Sequence, residues 1–114
     1  MRRDDAYLLD ILIAARRAMK FVAGIGRDEF EKNELVQNAV MHPLEVMGEA
    51  ANLISDEFRE EHHEIPWQKM IGMRNRLIHE YFRVNYGVVW DTIANDLPEL
   101  VQMIEPLVPP DDGE

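Results

Sequence analysis

Apolar residues recur three and four positions apart along almost the whole chain, and no stretch alternates apolar with polar side chains as a half-buried strand would. That period restricts the chain to helices, each with an apolar stripe that must be buried against another. Tyr7, Leu8, Ile11, Leu12, Ala15, Ala18, Met19 and Val22 mark a first helix from about Asp4 to Ala23. The following Gly24-Ile25-Gly26 closes it, because glycine takes the left-handed conformation at a helix end. A second helix begins at Asn33, a good N-cap, and runs to about Phe58 with Val36, Ala39, Val40, Met47, Ala50, Ala51 and Ile54 inward. Pro43 lies inside it and predicts a kink near Ala39 to Pro43 rather than two separate helices. Residues 59–66, REEHHEIP, read as a solvated connection. A third helix spans about Pro66 to Tyr81, and Asn85 caps a fourth. The fourth turns Val89, Trp90, Ile93, Leu97, Leu100, Val101 and Ile104 inward and bends at Pro98. The expected fold class is all-α, a single bundle of four main helices over residues 1–108 with a frayed acidic tail at 109–114.

A chain of 114 residues can bury one such core without covalent staples. It has no cysteine, which excludes disulfides and thiolate metal sites. Its first apolar stretch is cut by Asp10 and then by Arg16 and Arg17, a pattern of neither a signal peptide nor a membrane span. A cytoplasmic protein without a membrane partner is therefore expected. The net charge of -10 argues against nonspecific nucleic-acid binding, which needs many neutralised phosphates. The charge is uneven, however: residues 27–64 carry three basic and eleven acidic side chains, whereas 65–86 carry four and one. A small positive pocket can therefore form around GMRNRLIHEYF, residues 72–82.

Other candidate sites have simpler readings. The GIG turn follows no strand, so it is not a phosphate-cradling loop. His42, Glu45 and Glu49 share a helix face, and Glu60 to His63 forms one Glu-x-x-His, but a di-iron bundle needs two such motifs. These acidic faces read as solvated, with no metal and no cofactor. Trp67 and Trp90 read as core anchors, and Met41, Met47, Met70, Met73 and Met103 as gap fillers. Leu9, Ile13 and Met41 are surplus to the main stripes and offer apolar surface for a two-fold interface.

The stretch at 72–82 carries more polar chemistry than solubility requires. On a helix Asn75 and His79 share a face, Arg74 lies about 140° around from His79, and Arg76 and Glu80 are spaced to pair outside. An arginine near a histidine without metal ligands suits cleavage of RNA by its own 2′-hydroxyl. His79, with a reference pKa of about 6.5, can take the hydroxyl proton or give one to the leaving oxygen. Arg74 would hold the phosphate and stabilise the charge growing on it. Separate acid and base roles need two proton-transfer groups and this segment has one histidine, so a homodimer would complete the set.

The run RNRLIHEY, Arg74 to Tyr81, lies within IPWQKMIGMRNRLIHEYFRVNYGVVWDTIANDLP; upstream stand EVMGEAANLI and LLDILIAARRAMKFV. With these flanks the chain resembles the HEPN superfamily, and more closely its HepT branch, the toxin of bacterial HepT/MntA toxin–antitoxin pairs. The resemblance covers nearly the whole chain; Pro43 is a departure from it that touches no motif residue. It implies a homodimeric all-α bundle whose paired Arg-x4-His motifs form a metal-independent ribonuclease cleft. Arg74 and His79 take the catalytic positions and Asn75 the supporting polar one. Tyr81 matches the tyrosine to which the partner nucleotidyltransferase antitoxin adds AMP. Lys69, Arg76 and Arg83 are then the expected contacts to RNA phosphates. Charge alone leaves a second reading open, a non-catalytic helical module that docks a nucleotidyltransferase or a nucleotide.

Overall fold

The computed structural model describes residues 2–80 and 83–110. Tyr81 and the last residues of the expected tail lie outside the described residues. The architecture is all-α. Helix α1 (Arg2–Phe21) buries Leu8, Ile11, Leu12, Ala15 and Ala18, the stripe its period predicts, and Val22 just past its end is buried with them. It ends where Gly24 takes a φ of 85°, a left-handed conformation that a side chain would strain. A short α2 (Arg27–Lys32), which periodicity does not reveal, follows. Its one buried residue, Phe30, sets its ring 5.5 Å from that of Trp90 and 6.3 Å from that of Tyr86. Trp90 is thus half-buried at the edge of this aromatic cluster, whereas Trp67 is fully in the core.

Asn33 caps α3 (Glu34–Leu53) by accepting from the Val36 amide at 3.2 Å. The helix runs through buried Pro43 unbroken, as one helix rather than two. It stops five residues before the predicted end at Phe58, and the reason is tertiary. Ile54 and Ser55 turn extended, and Ser55 caps a separate α4 (Asp56–Glu61) by accepting from the Phe58 amide at 3.2 Å. Buried Asp4 at the start of α1 holds that junction: its carboxylate accepts from the Ser55 amide at 2.9 Å and from the Ser55 hydroxyl at 2.7 Å. The start of α1 is thereby tied to the end of α3, and the two helices run antiparallel.

The connection after α4 is anchored rather than simply solvated. Ile65 is buried, the Trp67 indole donates to the His62 carbonyl at 3.0 Å, and the Phe58 ring lies against both His62 and Trp67. Helix α5 (Trp67–His79) then packs along α3, and among the described residues this is its only extensive helix contact. Asn85 caps α6 (Tyr86–Asp91) by accepting from the amides of Gly87 and Val88. The bend expected at Pro98 takes the form of a π turn, Thr92–Asp96, before α7 (Leu97–Ile104). Proline cannot donate to the carbonyl four residues back and its ring crowds it, so the helix widens and Leu97 donates five residues back, to Thr92. Helix α7 rests on α1 and buries Leu97, Leu100 and Ile104.

Leu9 and Ile13 are exposed as expected, but Met41 is buried and offers no surface, because α3 turns it inward beside Val40 and Leu44. Among the described residues no helix is long and apolar enough to cross a membrane.

Candidate active-site groove

The site begins with a glycine. A Cβ placed on Gly48 of α3 would lie 2.2 Å from the Arg74 Cβ and 2.6 Å from the Met70 carbonyl oxygen of α5. The two backbones therefore touch here, and only a residue without a side chain admits that approach. The next residue, Glu49, faces the Arg74 side chain: the Arg74 Nη2 lies 3.0 Å from the Glu49 Oε1. On the other side the Arg74 Nη1 donates to the Asn75 Oδ1 at 2.9 Å. The guanidinium is held at both ends while 30% of the side chain remains open to solvent.

Arg74 lines an open groove of about 310 Å³ between α1, α3 and α5. Tyr7 and Asp10 line it from α1, His42, Glu45, Val46, Glu49 and Leu53 from α3, and Arg74 with Ile78 from α5. Arg74 is the only arginine or lysine among these described lining residues, and three carboxylates share the groove with it. Among the described residues no three His, Asp or Glu side chains are grouped to hold a metal ion.

The other predicted site residues are placed unequally. His79, the last residue of α5, is exposed beyond the groove, and Asn75 is exposed beside Arg74. Lys69 and Arg76 face away: both line a separate cleft of about 570 Å³ between α5 and the α6–α7 segment, with Met47, Met70, Met73, Leu100 and Met103. Two residues of helix turn a side chain through about 200°, so Arg76 leaves the face that Arg74 occupies. The expected Arg76–Glu80 pair is not formed among the described residues. Arg83 is exposed just after α5, its amide bonded to the Glu80 carbonyl at 2.8 Å. Gly48 and Glu49 are the site residues that sequence reasoning missed. By pattern alone Glu49 reads as one of several solvated carboxylates, and the signal that points to it is the small residue Gly48 in an otherwise well-packed stripe.

Comparison with known proteins gives the family. A family profile described as ribonuclease HepT-like matches residues 11–107. The chain belongs to the HepT-like ribonuclease family. A provisionally named RNase of Caldanaerobacter subterraneus subsp. tengcongensis is 38% identical over 95% of this chain and 96% of its own. A provisionally named RNase of Methanocaldococcus jannaschii is 38% identical over 91% of this chain and 96% of its own. The probable ribonuclease HepT of Thermococcus cleftensis is 40% identical over 93% and 96% respectively. No solved structure matches significantly.

The Gly48 contact generates a paired prediction for this HepT-like chain. Gly48→Ala must displace the Met70 backbone and should destabilise the fold by about 1–3 kcal/mol. Gly72→Ala on α5 meets nothing within 4 Å and should stabilise it by about 0.5–1 kcal/mol, through better helix propensity. Urea unfolding of both variants measures the difference; equal midpoints would contradict the close approach of α3 and α5.

Proposed function

We propose that this chain is a metal-independent endoribonuclease acting as a two-fold homodimer, the toxin of a bacterial toxin–antitoxin pair. The observation that carries the reading is that one helix, α5, bears both an arginine clamped by its neighbours and, at its end, a free histidine, in a chain of the HepT-like ribonuclease family. In this reaction the RNA 2′-hydroxyl attacks the adjacent phosphorus. A cyclic 2′,3′-phosphate forms and the 5′-oxygen of the next nucleotide leaves. One His79 accepts the proton of the attacking hydroxyl, and a second His79, from the other copy, gives a proton to the departing oxygen. Arg74 stabilises the charge that develops on the non-bridging phosphate oxygens.

The apolar side chains around the groove favour a second copy there. Leu53 and Ile78 are 48% and 44% exposed at its edge, and Leu9 and Ile13 are exposed on α1. Arg83, which follows the end of α5 and lines neither the groove nor the far cleft, is the basic side chain left for a further phosphate contact, whereas Lys69 and Arg76 would meet only RNA that passes outside the groove. The proposed regulator is a nucleotidyltransferase partner that transfers AMP from ATP to the Tyr81 phenol, releasing pyrophosphate. The bulk and negative charge so added would obstruct the cleft and oppose RNA.

An RNA-cleavage assay with purified protein tests the reading. Cleavage should survive a chelator, fall by about 100-fold or more in His79→Ala, and remain strongly impaired in Arg74→Lys, which keeps the charge but loses the planar fork. Full activity of His79→Ala would refute the mechanism, and loss on chelation would refute metal independence. Tyr81→Phe should cleave as the wild type does yet escape inhibition by the co-expressed nucleotidyltransferase. AMP found by mass spectrometry on the Tyr81→Phe variant as on the wild type would remove the regulatory role.

A further inference from the structure

Arg74 is the sole arginine or lysine lining the described groove, and the groove also contains Asp10, Glu45 and Glu49. Of these carboxylates, Glu49 alone reaches it, at 3.0 Å. Such a pairing is an unexpected use of charge. A phosphate approaching Arg74 meets the Glu49 charge as well, and a half-exposed ion pair contributes little to stability. Neither substrate affinity nor folding accounts for a carboxylate at this position.

Geometry does. An arginine side chain is long and flexible, and a guanidinium useful in a transition state must already point where charge will develop. Asn75 accepts one N–H of Nη1, and the Glu49 carboxylate forms an ion pair with Nη2 at 3.0 Å, so the fork is held at both ends and its remaining donors are left free for a phosphate. Gly48 permits the arrangement, since only a residue without a side chain lets α5 come close enough to α3 beside Glu49 for Arg74 to meet it.

We propose that Glu49 is a positioning residue for RNA cleavage: it orients the Arg74 guanidinium toward the scissile phosphate, supporting turnover at some expense of RNA affinity. The inference rests on the ribonuclease reading and adds to it a residue outside the Arg-x4-His motif. It leads to a split between kcat and KM that a plain structural contact would not produce.

The experiment measures steady-state cleavage of a fluorescent RNA by wild type, Glu49→Ala, Glu49→Gln and Arg74→Ala, with guanidinium-nitrogen NMR of the Arg74 side chain. Glu49→Ala should lose kcat by about 10-fold to 100-fold, without a rise in KM, because the fork is released while a repelling charge is removed. Glu49→Gln keeps an acceptor and loses the charge, so its kcat should stay within about threefold of wild type while KM falls. Hindered rotation of the Arg74 guanidinium should be seen in the wild type and in Glu49→Gln and be lost in Glu49→Ala. Wild-type kcat in Glu49→Ala, with Arg74→Ala inactive, would overturn the positioning role and leave the ribonuclease reading standing. Equal guanidinium rotation in wild type and Glu49→Ala would overturn it too. A wild-type protein that cuts no RNA would overturn the ribonuclease reading and this inference with it.

Discussion

The backbone contact of α3 with α5 at Gly48 is the constraint on which the functional surface depends. Among the described residues α5 packs extensively on α3 alone, so the placement of everything α5 carries is decided at that one crossing. Arg74 sits at the crossing and is half-buried by it, whereas His79 projects from the end of the helix five residues on. A bulkier residue at position 48 would push the helices apart and detach Arg74 from Glu49 even if every motif residue were kept. The rest of the fold serves this crossing by holding α3 in place. Helix α1 packs extensively against it, and the Asp4–Ser55 bonds fix its end.

Charge is deployed sparingly in this acidic chain. The four basic side chains of residues 65–86 do not form one patch: Arg74 enters the groove, Lys69 and Arg76 enter the cleft on the far side of α5, and Arg83 follows the helix. A groove with one cation and three carboxylates is a poor trap for RNA in general. It suits a site that acts on a phosphate brought to it by other contacts, including those a second copy would supply. The apolar rim of Leu53 and Ile78 fits that need better than a basic face would.

Much of the fold was legible because helical period and capping are local. The stripes of α1, α3 and α7, the Asn33 and Asn85 caps and the left-handed Gly24 all follow from residues within a few positions of one another. What was not legible depended on partners far away in the chain. Helix α3 ends early because Ser55 is bonded by Asp4, and α2 exists because Phe30 finds Tyr86 and Trp90. At the site, the Arg-x4-His motif was visible as a pattern, but the Glu49 contact is tertiary and was not. The turn of Arg76 away from Arg74 was available from helical geometry; grouping the basic residues by sequence proximity obscured it.

In the mechanism we propose, one chain holds half of a site and two copies of α5 complete it. Dimers purified with one wild-type chain and one His79→Ala chain test this most directly, because they retain both Arg74 side chains and lose a single imidazole. If one histidine acts as base and the other as acid, the mixed dimer should cleave RNA at about 1% of the wild-type rate or less. A rate near half that of the wild-type dimer would mean that each chain works alone, and the composite cleft would be contradicted.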